Sequence, residues 1–155
     1  MTTASIGEHG IIGNMRSAAL VNVFGAIDFF CFPEFDSPSV FASLLDSERA
    51  GSFSIRPAGR PWKGRQIYLP ETNVLTTRFI SQNSILELCD WMPVGGEALP
   101  HCIMRLLTAN HAQASLGLSR ERIVRPALPF ECNCSDMATR WRTGCLRPGR
   151  ITERR

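Results

Sequence analysis

The chain has 155 residues, 44% of them apolar and 20% charged, with a formal net charge of +3; this excludes a disordered chain and fits one soluble domain of about 100 to 200 residues. No apolar run approaches the roughly 18 residues that cross a bilayer, and the start MTTASIGEHG lacks the basic and apolar regions of a secretory signal. The expectation is a cytoplasmic protein without a membrane partner.

Taken in chain order, Gly10 to Gly13 and Ala18 to Phe24 hold short apolar runs, and Ile27 to Phe32 is a third, after Gly25-Ala26. A two-residue connection with glycine first predicts a type II′ hairpin. Asp36-Ser37-Pro38-Ser39 follows, where serine before proline is a good N-cap and N1 pair: the hydroxyl accepts an orphan amide, and proline has none to leave unpaired. Val40, Phe41, Leu44 and Leu45 then recur at helical spacing, so the pattern predicts one short helix near residues 38–46. Further strands are predicted over Gly51 to Arg56, Arg65 to Leu69, Asn73 to Ser81, Ser84 to Met92 and His101 to Thr108. Leu75, Thr77 and Phe79 share one face of their strand, as an alternating pattern requires. The fold class is all-β, an antiparallel β-sandwich carrying one short helix.

Charge divides the chain. Residues 1–100 hold seven basic and ten acidic side chains, whereas residues 101–155 hold ten arginines and four acids. Beyond Asn110 no period of 2 or 3.6 is sustained, and Pro126, Pro129 and Pro148 interrupt the runs. The expected organisation is a domain over 1–108 and an irregular tail over 109–155, whose abrupt arginine and cysteine content points to an aberrant reading frame. The arginines lack helical spacing and interleaved aromatics, so no nucleic-acid partner is expected. Cys132 and Cys134 form a single C-x-C, with Cys102, Cys145 and His111 distant in sequence, so neither a metal site nor a disulfide framework is expected.

Catalytic patterns are scarce. No G-x-S-x-G elbow accompanies His9, His101 and His111, and Gly7, Gly10 and Gly13 precede no helix that would cradle a phosphate. No cofactor is implied. Asp28, Glu34 and Asp36 are close in sequence and invite a reading as paired carboxylates for glycoside hydrolysis. Simpler roles suit them better: Asp36 as a turn residue, Asp28 as a hairpin cap or ion-pair partner.

The segments Gly10 to Gly13, Ala18 to Val21, Gly25 to Asp28, Cys31 to Pro33, Phe35 to Phe41, Leu44 to Asp46, Tyr68 to Pro70, Thr72 to Leu75, Arg78 to Phe79 and Asp90 to Val94 carry a family likeness. Together they resemble the N-terminal domain of glycoside hydrolase family 15, the glucoamylase and trehalase-like enzymes, over roughly residues 6–105. The resemblance implies a partial supersandwich whose partner is a helical catalytic barrel. The family acts on trehalose or α-glucans by inverting hydrolysis, with glutamates of that barrel as acid and base. No catalytic residue is therefore expected here, and the chain alone is expected to be inactive. Phe35, Asp36, Ser37 and Pro38 are the candidates for bracing the barrel or lining a pocket entrance, and Trp62 is the candidate for stacking on a sugar. Two other functions compete: a stand-alone carbohydrate-binding sandwich built around Trp62, and an arginine-rich interaction module on a β scaffold.

Overall fold

A computed structural model describes residues 4–57, 61–82, 84–95 and 102–110, and beyond these the backbone of several strands. After one 3-10 turn at Ile6–Glu8 come β1 (His9–Gly13), β2 (Ala18–Asn22), β3 (Ala26–Cys31), β4 (Ser39–Phe41) and β5 (Ser52–Pro57). The chain continues with β6 (Lys63–Tyr68), β7 (Leu75–Ile80), β8 (Ile85–Trp91) and β9 (Met104–Asn110). Later strands are β10 (Leu116–Glu121), β11 (Phe130–Glu131), β12 (Cys134–Ser135), β13 (Arg140–Thr143) and β14 (Arg147–Pro148).

Two six-stranded antiparallel sheets form the sandwich. The first runs β1-β2-β3-β5-β10 with β4 attached to β3, and the second runs β12-β13-β9-β8-β7-β6. Alternation places Ile12, Ala19, Val21, Ile27 and Phe30 of the first sheet in the same buried cluster as Leu75, Phe79, Leu86, Leu88 and Leu107 of the second. Thr77 joins Leu75 and Phe79 as a buried residue of β7, as the sequence pattern requires.

The helix expected near 38–46 is absent. Ser39–Phe41 pairs with β3 instead, Phe41 opposite Phe30 and Ser39 opposite Cys31. A helix would need Val40, Phe41, Leu44 and Leu45 on one buried stripe, but only the first two are buried, and Leu45 is 75% exposed. β-Branched Val40 and aromatic Phe41 suit a pleated surface, and the Phe41 ring stacks on Phe30 with centroids 6.5 Å apart. Proline at position 38 is as compatible with an extended entry as with a first helical turn. The tail expected to be irregular also contributes strands: β10 pairs with β5 through six residues and β13 with β9 through four.

The β2–β3 connection spans Val23 to Gly25 rather than Gly25-Ala26. Gly25 has φ +76°, and its N–H donates to the Asn22 carbonyl at 2.9 Å. A left-handed closing residue is the usual ending of a three-residue hairpin loop. A Cβ at Gly25 would also collide with the Ile55 carbonyl, so the position demands glycine twice over.

One side chain ties the sheets together through the interior. Arg105 of β9 is 1% exposed and pairs with the fully buried Asp90 of β8, Nε to Oδ1 at 2.7 Å and Nη2 to Oδ2 at 3.1 Å. Its guanidinium then crosses to the first sheet, donating to the Phe53 carbonyl at 3.1 Å and the Gly25 carbonyl at 2.8 Å. It also lies 5.1 Å from the centroid of the Phe53 ring. Arg105→Ala would leave Asp90 as an unpaired buried charge, and a loss of about 3 to 5 kcal/mol is expected in urea denaturation. Asp90→Leu combined with Arg105→Met should recover part of that loss. Recovery should fall short by about 1 to 3 kcal/mol, because the Phe53 and Gly25 carbonyls each lose the Arg105 donor, although Gly25 keeps the Ile55 N–H at 3.0 Å.

Candidate functional site

The loop between β3 and β4 carries the four bracing candidates. Phe32 anchors its start, buried with its ring 5.8 Å from that of Phe30, and Val40 and Phe41 anchor its end. Between these anchors the Ser37 hydroxyl accepts from the Glu34 N–H at 3.1 Å, and the Ser37 N–H donates to the Glu34 carbonyl at 3.2 Å. Ser37 therefore closes a tight turn instead of capping a helix. Phe35 is 61% exposed at the tip, with Asp36 and Pro38 also exposed. No hydrogen bond to the Asp36 carboxylate is present among the described residues.

A second loop, between β1 and β2, lies against the first. Asn14 folds it: its Oδ1 accepts from the N–H groups of Arg16 at 3.1 Å and Ser17 at 3.0 Å. The Ser17 hydroxyl donates to the Cys31 carbonyl, and Arg16 Nη2 lies 3.1 Å from Glu34 Oε1. Met15, at φ +70°, is 87% exposed between these anchors. Sequence reasoning missed this loop, although Asn14-x-x-Ser17 between two apolar runs is a legible Asx-turn signal.

The three carboxylates that invite a catalytic reading are occupied differently. Asp28 is the extra residue of a bulge: Val21 faces Ile27 and Leu20 faces Phe29, leaving it without a partner across the ladder. Its Oδ2 lies 2.8 Å from His9 Nε2 and 2.9 Å from Asn22 Nδ2. His9 Nδ1 meets the Ser5 carbonyl at 2.8 Å, and Asn22 Oδ1 accepts from the Phe24 and Ala26 N–H groups. This buried network secures the N-terminal turn and the β2–β3 hairpin. Glu34 is held by Arg16, and Asp36 faces solvent. Burial raises the Cys31 thiol above its ordinary value, which keeps it protonated near neutral pH and a poor nucleophile.

Trp62 packs against the core and is only partly exposed, with its indole N–H buried and without a hydrogen-bond partner. Among the described residues no group of three or more His, Cys, Asp or Glu side chains is placed to hold a metal, and no helix is long and apolar enough to cross a membrane. His101, His111, Cys132 and Cys145, and the arginine side chains beyond residue 108, lie outside the described residues.

The family model of the trehalase-like N-terminal domain matches residues 1–120, more than three quarters of the sequence. The chain belongs to the trehalase-like N-terminal domain family. The match runs past the limit near residue 105 that sequence resemblance sets and takes in β10. Trehalase 1 of Sulfolobus acidocaldarius is 50% identical over 90 residues, which is 58% of this chain and 16% of that protein. Trehalase of Thermoplasma volcanium is 45% identical over 90 residues, 57% of this chain and 14% of that protein. Trehalase of Mycolicibacterium smegmatis is 30% identical over 90 residues, 58% of this chain and 13% of that protein. The chain thus spans about a seventh of the length of these relatives. No solved structure matches it.

Two substitutions separate scaffold from surface in this loop. Phe35→Ser should leave the thermal stability of the isolated chain within about 0.5 kcal/mol of the parent, because the ring touches solvent. Ser37→Ala removes the acceptor for the Glu34 N–H and should lower stability by about 1 kcal/mol. Both follow from melts monitored by circular dichroism, and a large loss for Phe35→Ser would place that ring in the folding core.

Proposed function

We propose that this chain is the non-catalytic N-terminal sandwich of a trehalase-type glycoside hydrolase. In the whole enzyme it would stand beside a helical barrel that cleaves the α-glucosidic bond of trehalose with inversion. The supporting observation is the family match over residues 1–120 together with relatives that are trehalases along a far longer chain. The chemistry agrees. Inverting hydrolysis requires two carboxyl groups about 6.5 to 9.5 Å apart with room for a water between them. Asp28 Oδ2 is engaged by His9 and Asn22, with Oδ1 buried beside it and unpartnered, and Glu34 Oε1 is engaged by Arg16. A domain of this kind works by supporting a neighbour, and the Phe35-Asp36-Ser37-Pro38 loop is the element we assign to bracing the barrel or bordering its pocket. The cytoplasm is the compartment we assign to it, and α-glucans are the alternative substrate class.

Glucose release from trehalose and from maltodextrin by the purified 155-residue chain checks this reading, with a full-length trehalase as positive control. The expected outcome is no release above background. Activity that copurifies with the chain and disappears in Asp28→Asn or Asp36→Asn would assign the chemistry to this sandwich and end the proposal.

A further inference from the structure

We infer that the His9 imidazole is a proton-dependent latch: it carries a proton on both ring nitrogens while it fastens the N-terminal turn to the first sheet, and it loosens that turn when rising pH removes one of them.

The hydrogen-bond partners dictate the charge. His9 Nδ1 lies 2.8 Å from the Ser5 carbonyl oxygen, which can only accept, and Nε2 lies 2.8 Å from Asp28 Oδ2. A neutral imidazole has one N–H and one bare lone pair, so either tautomer would set that lone pair against an oxygen at one of the two contacts. Asp28 Oδ2 is itself held as an acceptor. Asn22 Nδ2 donates to it at 2.9 Å, and the amide cannot be turned around, because Asn22 Oδ1 accepts from the Phe24 and Ala26 N–H groups. The imidazole is 1% exposed and the Asp28 side chain 9%, so water does not stand in for a missing donor. A cationic ring also balances a carboxylate whose Oδ1 is buried and unpartnered.

What the ring holds is the turn over Ile6–Glu8. Glu8 Oε2 closes it by accepting from the Ser5 N–H and hydroxyl, and the Glu8 carbonyl accepts from the Val23 N–H at 3.1 Å. His9 reaches back to Ser5 and across to β3, and with one proton gone it keeps a donor for only one of them. Among the described residues no other charged group is bonded to the ring. β2 has no titratable side chain, and the Cys31 thiol of β3 is neutral. On β7 and β8, the strands of the second sheet that meet β1, Arg78 pairs with Glu87, Asp90 with Arg105, and Cys89 with Thr76. Asp46, on the segment that reaches the Asp28 carbonyl through the Leu44 N–H, accepts from the Glu48 and Arg49 N–H groups.

Nitrogen NMR of the isotope-labelled 155-residue chain reads the ring protons directly. At about pH 7, where a free imidazole is mostly neutral, both His9 nitrogens should carry a proton. A bare ring nitrogen at that pH would overturn the latch, with no variant needed. Between about pH 7 and about pH 9 one proton should leave, and the Val23 amide should lose protection from exchange, corrected for base catalysis, relative to core amides. Urea denaturation over the same range should show the parent losing about ten-fold in its folding equilibrium constant relative to His9→Gln, which has no proton to lose; that is roughly the worth of one hydrogen bond to a charged group. Two protons retained at about pH 9, or Val23 protection and a parent-to-variant ratio that stay flat, would make the contact a static ion pair and overturn the latch equally.

Discussion

The Arg105–Asp90 pair is the constraint on which the relative placement of the two sheets depends. Removing both charges from water is expensive, and their mutual attraction offsets that cost only when geometry is good and the remaining donors are met. Here the carboxylate takes two of the guanidinium N–H groups, and carbonyls of the opposite sheet take others. A slide of the second sheet over the first would strand a cation in the interior without those carbonyls. Apolar packing alone tolerates such a slide far better, because the hydrophobic effect is not directional. The pair is thus a device for choosing one arrangement among several that would bury similar area.

The Gly25 carbonyl is available to Arg105 only because the β2–β3 hairpin turns there in a left-handed conformation, and Asn22 holds that hairpin by accepting from Phe24 and Ala26. From the second sheet, Gln66 Nε2 donates to the carbonyls of Val21 and Asn22 in this hairpin at 3.0 Å, and Asn73 Nδ2, just before β7, donates to that of Gly13 at 2.8 Å. Gly64 lets β6 come so close to the same hairpin that a Cβ would overlap the Val23 carbonyl. Backbone carbonyls of the first sheet are therefore met by side chains from the second sheet and from the segment leading into β7. With Tyr68 on Ile11, these contacts also blunt the exposed β1 edge, which would otherwise template further pairing.

Much of this sandwich is legible in the sequence where burial enforces alternation. The runs expected over Gly51 to Arg56, Asn73 to Ser81 and Ser84 to Met92 correspond to β5, β7 and β8 with shifts of one or two residues at their ends. The segment 38–46 misleads because Val40-Phe41 and Leu44-Leu45 satisfy a helical stripe and a strand followed by a turn equally well. The deciding term is the Phe30–Phe41 contact, which sequence spacing does not reveal. Arg105 is hidden for a related reason: in MRLLTAN a cation at an alternate position reads as the solvent face, and only the partner Asp90, itself looking like a surface acid, reverses its direction. For the candidate site, the exposed Phe35 loop is legible from its proline and turn residues. The Met15 loop is invisible as a partner until the Arg16–Glu34 pair brings two distant stretches together.

The same logic explains why a sandwich of this kind suits a supporting role. Two polar clusters of the interior fix the fold: Arg105 and Asp90 set the stacking, while Asp28, through Oδ2, with His9 and Asn22 fastens the N-terminal turn to the hairpin. Exposed chemistry is left to loops that the rigid sheets position, the usual division of labour between scaffold and function. In this chain two such loops are themselves stiffened by internal hydrogen bonds. What they present is mixed, Met15 and Phe35 exposed along with Asp36 and the Arg16–Glu34 pair, and apolar side chains with polar neighbours are the usual make-up of a protein contact.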